Sequence, residues 1–255
     1  MDSLALVLKR DRLLVGAGVL LVSALAWCYV VDAARGMVGL AMEMGRPDPN
    51  AWPVASLGPL FLMWVVMMVA MMLPSATPMI LTFAAVARNR RQQQRPYVPV
   101  AVFASGYLFA WSGFSVLATV AQWCLHREAL LSPMMVASSA PLAGILLLLA
   151  GVFQFTPLKR TCLTHCRAPL EFITTRWREG WAGALTMGLK HGLFCTGCCW
   201  ALMALLFVLG MMNLLWIALL TILVGLEKIL PRRSYLSQGT GLLLAVWGLW
   251  VLFRA

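Results

Sequence analysis

Residues 181–230 read WAGALTMGLKHGLFCTGCCWALMALLFVLGMMNLLWIALLTILVGLEKIL. This run of 50 residues is apolar almost throughout and is broken only near Gly210-Met211-Met212-Asn213. A hydrocarbon core about 30 Å thick needs a helix of roughly 20 residues. The run is therefore too long for one membrane crossing and long enough for two joined by a tight turn. Crossings are expected at 183–209 and 213–230.

The same criterion picks out further runs at 13–31, 57–85, 98–122, 142–157 and 239–253. The expectation is an all-α, polytopic transmembrane bundle of about seven spans in one membrane domain covering 1–255. Composition agrees. Hydrophobic residues make up 62% and charged residues 11% of the 255-residue chain, and the mean hydropathy is +0.85. A soluble domain of this length has no interior large enough for that apolar content. Lys9, Arg10 and Arg12 with Ala24-Leu25-Ala26 have the outline of a cleaved signal, but the apolar run continues to Val31, so an uncleaved anchor is expected. Leu158–Gly180 reads as the longest polar loop, and Ser132–Pro141 as a loop or short interfacial helix.

The net charge of +11 resides in the connections. One set of alternate loops holds fifteen basic residues, among them Lys9, Arg88, Arg95, Lys159, Arg176 and Arg232; the other set holds Arg35, Arg46, Arg127 and Arg254. Basic loops stay on the cytoplasmic side, so a cytoplasmic N-terminus in a bacterial inner membrane is expected. These charges meet anionic lipid. They are not interleaved with aromatics in the manner of a nucleic-acid surface, so no nucleic-acid partner is expected.

Of seven cysteines, Cys28 and Cys124 stand alone and the other five lie between Cys162 and Cys199. Clustering beside histidine points to metal or redox chemistry more than to a disulfide framework. On a helix at ~100° per residue, Cys195 lies ~40° from His191, Cys198 ~20° to the other side and Cys199 ~80° away. Such groups are costly against lipid and are expected to face the bundle interior. Ala184, Gly188 and Gly192 share that face and invite a close helix neighbour.

Cys162 and Cys166, with His165 as a weaker candidate, lie in the preceding polar segment. Met63, Met67 and Met71 recur every fourth residue, with Pro74 and Pro78 following. Thiolates and thioethers suit Cu(I); thiolate with imidazole also suits zinc. A methionine stripe is equally explained by adaptable packing. Glu227 interrupts an apolar run: it is placed either to balance charge or relay protons near the thiols, or to pair with Lys228 or Lys190 at the interface.

Taken together, Met-Trp-x-x-Met-Met-x-Ala-Met-Met-Leu-Pro-x-x-x-Pro at 63–78, Cys-Leu-x-x-Cys-Arg-x-Pro at 162–169, Gly-x-x-x-Gly-x-x-Cys-x-Gly-Cys-Cys-Trp at 188–200 and Glu-Lys at 227–228 resemble a bacterial family. Its members are described as metal-binding integral membrane proteins of unknown function and sometimes labelled copper-chaperone-like. The resemblance spans roughly 55–231 and implies metal binding more than any defined activity.

The function expected is non-enzymatic handling of a soft metal, Cu(I) first and zinc second, by transport, storage or delivery, with a membrane protein or metallochaperone as the protein partner. A membrane thiol–disulfide oxidoreductase using the Cys195-x-x-Cys198 pair is the alternative. A structural or assembly subunit is a third. No nucleotide loop or Ser/His/Asp hydrolytic pattern occurs.

Overall fold

The computed structural model describes residues 2–44, 56–94, 98–128, 130–132, 136–230 and 235–254, with side chains described in the first helix only for 12–36. Lys9, Arg10, Arg46, Arg95, Arg232 and Arg233, which enter the charge argument, lie outside the described side chains. The helices run in the order α1 (Asp2–Met44), α2 (Leu57–Gln92), α3 (Val100–Arg127), α4 (Ala140–Phe153), α5 (Pro157–Arg167), α6 (Pro169–Thr175), α7 (Gly180–Ala204), α8 (Leu206–Leu209), α9 (Leu214–Ile229) and α10 (Leu236–Arg254). Among the described residues no strand forms; Leu131 and Ala137 make an isolated bridge.

Five of the described helical stretches are long and apolar enough to cross a membrane, or six if α4 and α5, which meet at a bend of 63°, count as one span. α9 has 16 residues, about 24 Å at the usual rise, so length alone does not bring the number to seven. α7 and α8 end at Gly210, whose φ of +94° suits a residue without Cβ. Asn213 then caps α9 by accepting from the Leu215 amide at 3.2 Å.

The segment expected to be a polar loop, Leu158–Gly180, is instead largely helical. Thr156 caps α5 and Pro157 opens it, a sequence well suited to a helix start. Lys159, Cys162, Leu163 and Cys166 then follow the i, i+3, i+4, i+7 spacing of one face. Lys159, Cys162 and Leu163 are buried, while Arg160 is exposed. Counting charges hides this face. The preceding span, expected to reach residue 157, ends as helix at Phe153.

Bare backbone contacts fix two crossings. A methyl group at Gly188 would fall on the carbonyl oxygen of Phe103, and one at Gly192 would lie 2.9 Å from the Tyr107 carbonyl oxygen, so α3 lies directly on α7. A methyl at Gly151 would meet the Ala245 nitrogen at 2.7 Å, and one at Gly248 the Leu148 nitrogen at 2.7 Å, which brings α4 against α10.

α2 continues as helix through Pro74 and Pro78. Pro74 has no N–H for the carbonyl of Ala70, and the indole Nε1 of Trp27 donates to that oxygen at 3.1 Å. Trp27→Phe should therefore lower stability by about 1–3 kcal/mol, the usual cost of stranding a buried acceptor. In a Pro74→Ala background, which restores the helical donor, the loss should shrink. Thermal unfolding of the four proteins of this cycle in detergent checks both outcomes.

The basic segments gather at one end. Arg90 at the end of α2 pairs with Glu179 just before α7 and lies over the Trp177 ring at 4.8 Å. Lys159, Arg167, Glu227 and Ser237 meet where α5, the end of α9 and the start of α10 come together. Arg35, Gly210 and Asn213 line a cavity at the other end.

Candidate metal centre

α7 turns the expected residues inward: His191 is 2% exposed, Cys195 and Cys199 0%, and Cys198 1%. The close α3 contact permitted by Gly188 and Gly192 puts Tyr107 over this face. Its hydroxyl lies 3.2 Å from Cys195 Sγ and donates to the Met72 carbonyl at 3.0 Å. α5 closes the site from the other side. Cys162 packs on Gly197, where a methyl group would come within 2.8 Å of its sulfur. The Cys166 thiol lies near those of Cys195 and Cys198, and the Cys199 thiol near the same two. All seven cysteines are free thiols.

The donors are engaged in hydrogen bonds of their own. Cys198 and Cys199 give their thiol protons to the Cys195 carbonyl oxygen, at 3.1 and 3.0 Å. Among the described residues, no three His, Cys, Asp or Glu side chains stand in an arrangement that would hold a metal ion. Ligation therefore requires the α7 thiols to lose the protons that they give to the carbonyl. The chemistry of the donor set nonetheless suits a soft ion: thiols from two helices lie close together, and neither nitrogen of buried His191 has a hydrogen-bond partner among the described residues. An imidazole without a partner in the interior is available to a ligand.

Lys228, expected as a basic residue at a loop and a candidate partner of Glu227, reaches the thiols. Its ammonium donates to Cys195 Sγ at 3.1 Å and to Ser75 Oγ at 2.6 Å. Glu227 instead points away from them, in a buried ion pair with Lys159 at 2.7 Å, and accepts from Ser237 at 2.9 Å. It pairs with neither Lys228 nor Lys190, because consecutive positions on α9 lie ~100° apart and send the carboxylate toward α5 and the ammonium toward α7.

The remaining candidates fall elsewhere. His165 stacks on Phe194 with centroids 4.1 Å apart, and its ring nitrogens face the Thr161 carbonyl and Arg176. Met67 and Met71 are buried in the core and Met63 is half-buried. A cavity of about 580 Å³ adjoins the thiols, lined by Cys166, His191, Lys228, Ser75 and Met79 among others. The methionine on its wall is thus Met79, outside the expected stripe. No local signal marks Tyr107, Ser75 or Met79, whose relevance comes only from packing between distant segments.

Comparison with known proteins gives one family. A family model, PpoB2, described as "Copper chaperone", matches residues 61–251. No curated protein and no solved structure matches.

Proposed function

The chain belongs to the PpoB2 copper-chaperone family, and on that premise we propose that it is a non-enzymatic membrane protein whose cargo is a soft metal ion, Cu(I), taken up on thiols buried where α5 meets α7. The observation that carries this reading is the packing of α5, through Cys162 on Gly197 and with Cys166 close by, against the buried thiols of Cys195 and Cys198 on α7, where the ammonium of Lys228 reaches Cys195. Thiolates favour Cu(I). Cu(I) on two thiolates carries one net negative charge, and a single buried ammonium offsets it. Zn(II) on four thiolates would carry two. Charge balance falls to Lys228, which reaches Cys195, and not to Glu227, which is paired with Lys159.

Binding releases the thiol protons. His191 is the nearest candidate for a nitrogen ligand, and Cys162, one turn before Cys166, for a thiol through which the ion enters or leaves. The reading takes the basic end as cytoplasmic in a bacterial inner membrane, with α4 and α9 as short crossings that bring the total to seven. The ion then passes between the cytoplasmic end and a protein partner, a metallochaperone or a membrane protein.

Competition of the purified protein with a Cu(I) chelator tests this. The wild type should take Cu(I) stoichiometrically. Cys195→Ser/Cys198→Ser should bind more than about a hundredfold more weakly, beyond the 10–100-fold that outer partners of a site typically contribute. Wild-type affinity in that variant would overturn the proposal. Lys228→Met, which leaves every sulfur in place, should weaken binding by about 10–100-fold.

One observation favours a second reading. A thiol from α5 resting on a Cys-x-x-Cys pair is also what disulfide exchange needs. Thiol trapping on intact cells and on inverted vesicles separates the two: labelling of Cys162 from outside the cell favours the oxidoreductase.

A further inference from the structure

Apart from the thiols, a polar cavity of about 300 Å³ opens between the α4–α5 bend and the start of α10. Its polar lining is Gln154, Arg160, Thr164, Arg167, Ser237 and Gln238. We propose that this cavity is a binding site for a phosphate group.

Gln154 is 2% exposed, and neither its Oε1 nor its Nε2 has a hydrogen-bond partner among the described residues. It sits in the break between α4 and α5, and its Cβ lies 2.7 Å from where a methyl on Gly241 of α10 would be. A buried amide left without partners on both of its atoms is costly, and a leucine in its place would not be. The amide offers one acceptor and two donors to whatever enters the cavity. Arg160 and Arg167 bring guanidinium groups, whose planar fork matches phosphate oxygens. Arg160 is exposed and reaches the cavity from the outer face of α5. Arg167 is anchored through its Nε to the Glu227 carbonyl at 2.7 Å. The Glu227 carboxylate, which takes the Ser237 hydroxyl, is already paired with Lys159, so it does not oppose an anion.

The amide of Gln238 adds two more donors beside the guanidinium groups, and the hydroxyls of Thr164 and Ser237 enter the lining as acceptors. The Thr164 and Ser237 hydroxyls each donate elsewhere, to the Arg160 carbonyl and to Glu227. Guanidinium beside an amide with open donor and acceptor atoms suits a phosphate diester carrying hydroxyls, the chemistry of an anionic glycerophospholipid head group. It also suits free phosphate.

Two probes distinguish these sources. The full-length protein in detergent is titrated with inorganic phosphate, with short-chain phosphatidylglycerol and with short-chain phosphatidylcholine, and bound mass and thermal unfolding are followed. Saturable binding of phosphatidylglycerol over phosphatidylcholine makes the site a lipid one. Saturable binding of phosphate makes it a site for the soluble anion. In either case Arg160→Gln, at an exposed position that leaves the fold intact, should weaken binding at least about tenfold, the scale of one charge-assisted pair. Gln154→Leu should also weaken it, while raising the unfolding temperature of the ligand-free protein. Binding of neither anion, or binding that both substitutions leave unchanged, would overturn the proposal. Because none of these residues carries a thiol, the result is independent of copper binding.

Discussion

Lys159→Met is expected to destabilise the protein by about 3–5 kcal/mol, the cost of leaving one partner of a buried ion pair alone. Lys159 and Glu227 are each 1% exposed and meet through both carboxylate oxygens, at 2.9 and 2.7 Å. Removing the ammonium leaves a carboxylate in the interior with the Ser237 hydroxyl as its remaining side-chain donor among the described residues. The double variant Lys159→Met/Glu227→Leu should recover most of the loss, since an apolar pair of similar volume often matches a buried ion pair. Unfolding of the four proteins of this cycle in detergent measures the coupling. A single variant as stable as the wild type would mean that water reaches the pair. The consequence extends to the thiols, because Glu227 and Lys228 are consecutive on α9 and the pair with Lys159 fixes the rotation that aims Lys228 at Cys195.

Gly188→Val should be worse for folding. A Cβ at Gly188 would clash with the Phe103 carbonyl oxygen. That atom belongs to helix backbone and cannot move as the end of a side chain can. Overpacking a core usually costs about 1–3 kcal/mol when side chains yield; here α3 and α7 must separate along their length, and the loss should exceed that range. Tyr107 would leave Cys195, and Phe103 and Tyr107 would leave their stacks on His191, whose centroids are 6.3 and 5.4 Å away. The expected result is loss of monodisperse protein on extraction. Gly113→Val, at a position on α3 with nothing within 4 Å of a methyl group, is the control and should extract normally.

How much of this was legible depends on whether the information was local. The inward turn of His191, Cys195, Cys198 and Cys199 follows from helix geometry and the cost of polar groups in lipid, and burial of all four agrees with it. The close approach at Gly188 and Gly192 was readable from four-residue spacing, but not that α3 would be the neighbour. The sequence places Cys166 in a polar segment following the fourth span; the amphipathic face of α5 is present in the same residues but lies among charged neighbours that mask it. The partner of Glu227 lies 68 residues away in sequence, beyond any local pattern. The stripe of Met63, Met67 and Met71 shows the limit of periodicity: it marks a buried face and says nothing of which methionine borders a cavity. In the structure that is Met79, on the same helix.

X-ray absorption at the copper edge, on Cu(I)-loaded protein and on its Cys166→Ser variant, tests most directly whether α5 and α7 form one site. A first shell dominated by sulfur is expected in the wild type, with a sulfur lost or replaced by a lighter atom in the variant. A shell of nitrogen and oxygen alone, or identical spectra from the two proteins, would contradict it.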